Sequence, residues 1–178
     1  MSALHYSNVL PAHRQLEDWS CSLSAFEFVA KLYGLIGLDI FPLQSDPANQ
    51  RKGFVEPSLL ADVGLKGSDD YYDVASAVTL IQSELTSGRH TVVSLLTFQT
   101  MGLPAGYHIY VAVDGQQGPC LVDPATRSVL AVPSTDLSHI FAANSARNPE
   151  RKTIHVLTLY PNAEQNGGGQ PPTRPESK

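Results

Sequence analysis

A chain of 178 residues, 42% hydrophobic and 16% charged, is long enough to bury a core of its own and reads as one globular domain of moderate size. Its 12 basic against 17 acidic residues give a formal charge of −5 with the basic groups scattered, which argues against nucleic acid as a partner. No apolar run approaches the roughly 20 residues that span a bilayer, and the opening MSALHYSNVLPAHRQ lacks a basic region followed by an apolar core, so neither membrane insertion nor a Sec-type signal is expected.

In chain order, the first dozen residues carry Pro11 and no periodicity and read as an extended lead-in. From Cys21 onward, Leu23, Phe26, Val29, Ala30 and Tyr33 recur at three- and four-residue steps, which predicts a helix ending at Gly34 or Gly37. The stretch 41–67, with Pro42, Pro47 and Pro57, reads as mostly loop, with a short helix over PSLLADVG, 57–64. Asp69 and Asp70 then offer N-caps for a second amphipathic helix with Val74, Ala75, Val78, Ile81 and Leu85 as its stripe, stopping near Gly88.

After Gly88 the period becomes extended. Strands are predicted over TVVSLLTF (91–98), YHIYVAVDG (107–115), PCLVDP (119–124), SVLAVP (128–133) and TIHVLTLY (153–160), separated by short turns that imply antiparallel neighbours. STDLSHIFAAN (134–144) predicts a short helix capped by Ser134 or Thr135. The tail, 161–178, is rich in Gly, Pro and Gln and nearly free of apolar residues, so disorder is expected there after a single domain over 1–160. Helices first and an antiparallel sheet second make an α+β domain.

Two cysteines are too few for a disulfide framework or a thiolate zinc site, so no metal and no cofactor are expected, and a reducing compartment is the simplest fit. Cys21 stands where the periodic run begins. There it serves either as a packed core thiol beside Trp19 and Leu23 or as a nucleophile, whose pKa a helix N-terminus would lower. Cys120, in a short apolar strand, is expected to be buried and slow to react.

A nucleophile needs a base, and of six histidines His108 alone opens a strong strand directly after a glycine-containing loop. His155, inside the last strand, suits a satisfied half-buried ring. An imidazole base needs an orienting acceptor. Asp123, fifteen residues on and one strand and turn later, fits better than Asp114, which a turn would occupy with its own backbone. For a developing oxyanion, the Cys21 N–H and the side-chain amide of Gln15 are the candidate donors.

Gln15, Cys21, His108 and Asp123, in that order and spacing, resemble the papain-like cysteine peptidase superfamily. The wording SGRHTVVSLL, GYHIYVAVDG and CLVDP is most similar to its small bacterial branch of exporter leader-peptidase domains and secreted effector proteases. The resemblance covers about 13–133 and implies a papain-like fold, with a helical part bearing Cys21 packed on a sheet bearing His108 and Asp123. It also implies a peptide or protein substrate, while the missing Sec-type signal and the two cysteines make the cytoplasm, or export by a non-Sec route, the expected location. Ser22 departs from the glycine that usually follows the nucleophile in the small members, and no transporter segments follow. CSLSAF and YHIYVAVDG also resemble cell-wall amidases of the NlpC type, and a papain-like binding module without activity is the third alternative. Trp19, Ser20, Ser22 and the loop 100–107 would shape the pockets, which suggests small or apolar side chains next to the scissile bond.

Overall fold

A computed structural model describes residues 20–35, 41–51, 57–97, 106–115, 118–124, 128–130 and 134–162. Helix α1 (Cys21–Leu32) is followed by α2 (Phe41–Ser45), a 3₁₀ turn (Pro47–Arg51), α3 (Pro57–Asp62), strand β1 (Leu65–Tyr72) and α4 (Val74–Thr86). Then come β2 (His90–Thr97), β3 (Gly106–Gly115), β4 (Gly118–Asp123), β5 (Ser128–Leu130), α5 (Ser134–Arg147) and β6 (Ile154–Pro161). The fold is α+β, built on one antiparallel sheet of order β1-β6-β2-β3-β4-β5. No helix among the described residues is long and apolar enough to cross a membrane.

The sheet is covered on both faces. On one, α1 and α3 pack Phe26, Phe28, Val29, Leu59 and Leu60 against Val92, Ile109, Val111, Val113, Leu157 and Leu159. On the other, α4 and α5 pack Ala77, Ile81, Leu137 and Phe141 against Val93, Leu95, Ala112 and Val156. These two lists alternate along β2, β3 and β6, as a pleat with side chains on opposite faces requires. Every residue of α1 from Cys21 to Ala30 is buried, so the helix is wrapped on all sides and not only along the expected stripe. It ends where Gly34 turns to φ +77°, a conformation that suits glycine. The hydroxyl of Tyr33 fastens that end to the sheet, donating to the Leu159 carbonyl at 2.6 Å and accepting the His90 N–H at 3.0 Å.

Several expectations are corrected. The stretch 41–67 is not mostly loop: it holds α2, the 3₁₀ turn, α3 and the start of β1. Asp69 and Asp70 do not cap a helix but lie in β1, opposite Leu157 and Val156. The cap of α4 is Asp73, whose carboxylate accepts the Ser76 N–H at 2.9 Å. Ala75 is exposed, and the buried face of α4 is Ala77, Val78, Ile81 and Glu84. Helix α5 runs to Arg147, and β6 runs to Pro161, where Asn162 donates its N–H to the Gly64 carbonyl at 2.9 Å. Residues 161 and 162 therefore belong to the folded part, and the rest of the expected tail lies outside the described residues.

Gly67 explains how β1 reaches β6. A Cβ there would stand 2.8 Å from the Thr158 carbonyl and 2.9 Å from methyls of Leu157 and Leu159, closer than real contacts allow. Gly67→Ala is expected to cost about 1–3 kcal/mol by forcing that pairing apart, read as a lowered midpoint in chemical denaturation. An unchanged midpoint would mean that β1 gives way at no cost.

Candidate active site

Cys21 is the first residue of α1, with Ser20 at the N-cap position. The Ser20 side chain does not cap the helix; its hydroxyl donates to Gln44 Oε1 at 2.6 Å, and both residues are buried. The sulfur of Cys21 faces the backbone N–H groups of Ser22 and of Cys21 itself, and across the interface that of Ile109 in β3. Helix start and strand thus meet at the residue after His108.

The sheet itself makes room for this meeting. β2 pairs with β3 from Thr91↔Ala112 to Thr97↔Gly106, whereas the described ladder between β4 and β3 stops at Val111↔Val122. The first five residues of β3, 106–110, run on past that ladder, and the sulfur meets the Ile109 N–H in this stretch. α1 approaches from the face that carries Ile109 and Val111.

The histidine comes from the other face. Its ring stands edge-on to Tyr110, with centroids 5.1 Å apart and planes at 83°, and Tyr110 packs among the α4 and α5 side chains. Asp123, the last residue of β4, is the diagonal neighbour of His108 on that face, and Nε2 of His108 lies 2.9 Å from Oδ1 of Asp123. Both side chains are largely covered, at 19% and 13% exposure. With Nε2 held by the carboxylate, Nδ1 is the ring atom left to exchange a proton. Asp114 lies six residues further along β3, roughly 20 Å away at strand spacing, too far to orient this ring. Among the described residues no hydrogen bond joins the Cys21 sulfur to the His108 ring.

Burial sets the resting state of the thiol. Cys21 is 9% exposed, and desolvation pushes its pKa above the ordinary thiol value. The three N–H groups oppose the shift, and the Asp123 carboxylate adds to it. The lowering expected from a helix N-terminus is therefore overridden: burial costs the thiolate more than three backbone dipoles return. Burial thus favours the neutral thiol over a thiolate. Alkylation of Cys21 by iodoacetamide is accordingly expected to rise with pH to a midpoint above about 8.5, and Asp123→Asn to move that midpoint down. Peptide mapping across pH checks this, and a midpoint near 6 would contradict it.

Other expectations fare differently. Gln15, Trp19 and the loop 100–105 lie outside the described residues. Ser20 and Ser22 are 0% and 8% exposed, so they are core residues of the helix start and not open cleft walls. Cys120 is half-buried, not buried, because β4 turns it toward Gly115 and Gly118 at the hairpin end. His155 is buried and satisfied: Nε2 lies 2.7 Å from Oδ2 of Asp69, and the ring stacks on Tyr71 at 4.5 Å. Sequence reasoning did not find Gln44, which holds Ser20 from α2, or Tyr110, whose ring abuts His108. The latter carries a signal after the fact, since i and i+2 in a strand share a face.

No protein-family model matches the chain, and no curated protein matches it. Among solved structures, the crystal structure of the Pseudomonas avirulence protein AvrPphB is similar over 77% of this chain and 72% of that one, with a TM-score of 0.37 and 13% identity. A likeness of that degree carries no argument about activity.

Proposed function

We propose that the protein is a thiol hydrolase with a papain-like arrangement that cleaves a peptide or isopeptide bond, with Cys21 as nucleophile, His108 as base and then acid, and Asp123 as the orienting acceptor. The observation that carries this reading is the 2.9 Å contact between His108 Nε2 and Asp123 Oδ1 at the strand position where the Cys21 sulfur meets β3.

In the acylation step His108 Nδ1 takes the thiol proton as the sulfur attacks the carbonyl carbon, and the carbonyl oxygen becomes an oxyanion. The backbone N–H of Cys21 at the start of α1 is a donor for that charge, and Gln15 is the second donor in this proposal. Collapse breaks the carbon–nitrogen bond. The imidazolium gives its proton to the leaving amine, leaving a thioester on Cys21 and a neutral ring. Water then loses a proton to His108 and attacks the thioester, and the proton returns to the thiolate as the acid product leaves. Asp123 accepts the Nε2–H throughout, which fixes the tautomer and stabilises the transient imidazolium.

The cell-wall amidase and the inactive binding module are the alternatives for the same fold, and a direct comparison of substrates separates them. Incubating the protein with a proteome-derived peptide library and, in parallel, with peptidoglycan fragments is expected to yield cleavage products from the library that disappear in Cys21→Ala. Release of cell-wall peptides alone would support the amidase, and no product from either would leave the binding module.

A further inference from the structure

Two of the three exposed large hydrophobic residues among those described, Tyr71 at 44% and Tyr107 at 38%, flank a single cation. The guanidinium of Arg151, from the turn between α5 and β6, lies 5.0 Å from the Tyr71 ring centre and 5.3 Å from that of Tyr107. Its Nη1 donates to the Tyr71 hydroxyl at 3.0 Å. The Tyr107 hydroxyl accepts from Nδ2 of Asn148 at 3.0 Å, and Oδ1 of the same buried Asn148 accepts the backbone N–H of Arg151 at 3.0 Å. Rings, guanidinium and backbone are thus fixed against one another.

Both ring centres lie within 5.3 Å of the guanidinium carbon and the Tyr71 hydroxyl engages Nη1, which leaves Nε and Nη2 as donors suited to a bidentate carboxylate. Among the described residues no carboxylate pairs with Arg151, although acidic residues outnumber basic ones 17 to 12. Both glutamates of the remaining non-histidine pairs are matched with other cations, Glu27 with Lys31 and Glu84 with Arg89. The arrangement holds a cation in place before any ligand arrives, as an anion receptor requires.

Its place in the fold gives the ligand. Tyr107 precedes His108 and shares the sheet face of Ile109, about 7 Å from the residue whose N–H meets the Cys21 sulfur. Tyr71 lies on the same cross-strand row as His155, Ser94 and Ile109. The receptor therefore stands at the end of the sheet beside the nucleophile, within reach of an extended peptide roughly two to four residues from the bond being cut. We propose that Arg151, clamped between Tyr71 and Tyr107, recognises an acidic side chain of the peptide substrate. The role as a substrate subsite rests on the peptidase reading above; the capture of a carboxylate peptide does not.

The test separates the two. Acetyl-tetraglutamate amide and acetyl-tetraglutamine amide are titrated calorimetrically into the full chain carrying Cys21→Ala, so that no turnover is required. The glutamate peptide is expected to bind about tenfold tighter, with the difference removed in Arg151→Gln and clearly reduced in Arg151→Lys, which lacks the bidentate fork, and to weaken with added salt. Thermal midpoints of both variants are measured alongside, and the lysine variant carries the test if the glutamine variant is poorly folded. Equal binding of the two peptides, or a preference that survives Arg151→Gln, overturns the proposal. A library cleaved by the active protein without enrichment of Asp or Glu near the scissile bond would remove the substrate role, whereas an uncleaved library with intact glutamate binding would fault only the peptidase reading.

Discussion

His108→Ala is expected to lower peptide hydrolysis by roughly ten-thousand-fold or more, to a level close to that of Cys21→Ala. The size follows from the resting thiol. In the proposed mechanism, loss of His108 removes both the route by which the proton leaves a buried thiol and the acid that later protonates the amine. The double variant is expected to be no worse than either single one, since the two residues act as a unit. Asp123→Asn removes the acceptor at 2.9 Å but leaves the ring, so a residual rate is expected, down by roughly a hundred- to a thousandfold. Asp114→Ala, at the far end of β3, is expected to be nearly silent. Initial rates on one cleaved library peptide, with circular dichroism to confirm folding, decide among these. A severe loss at Asp114 with none at Asp123 would reverse the choice of orienting residue.

Acidification is expected to destabilise the protein through His90. Its Nδ1 is buried with no hydrogen-bond partner, its ring packs edge-on against Tyr33 at 5.1 Å, and burial pushes its pKa from 6.5 down to about 4. The folded state thus holds the neutral ring where the unfolded chain already binds a proton. The stabilisation is complete above pH 6.5 and is lost as pH falls toward 4, by about 3 kcal/mol at the conversion of 1.36 kcal/mol per pKa unit. Asp73 and Glu84, whose carboxyls are held down by Ser76 and Arg89, add their own loss below about pH 4.5, which overlaps only the acid end of this window. Urea midpoints between pH 7 and 4 measure the slope, and His90→Gln is expected to flatten it. A slope unchanged by that substitution would assign the effect to other groups.

How far the sequence speaks is decided by where the information lies. The strands β2, β3, β4 and β6 are β-branched apolar runs bounded by turns, and β3 and β4 are joined by a tight hairpin. Residues fifteen apart, His108 and Asp123, thereby fall on paired strands without any knowledge of the rest. β1 has no such signature. LKGSDDYY buries only Leu65 fully, and its glycine and two aspartates mimic a loop running into a helix cap. Only the close approach of β6, over a hundred positions from α1 and about eighty from β1 itself, makes it a strand. The state of the Cys21 thiol is illegible for the same reason: the helix N-terminus is a local feature, but the burial that outweighs it comes from packing by distant elements. Arg151 is equally hidden, since Tyr71 and Tyr107 reach it only through the folded sheet.

The order of the strands also bears on how the protein comes into being. The last strand in the chain, β6, is inserted between β1 and β2, pairing Tyr71 with His155 on one side and Val93 with Val156 on the other. It also supplies Leu157 and Leu159 to the core around α1. Until translation has passed Pro161, β1 has no partner and the core around α1 lacks Leu157 and Leu159, so the helix is covered only by what β2 and β3 supply. A nascent chain on the ribosome therefore holds a sheet with an inner strand missing, and the core closes only after the polypeptide is released far enough for its final strand to enter between β1 and β2.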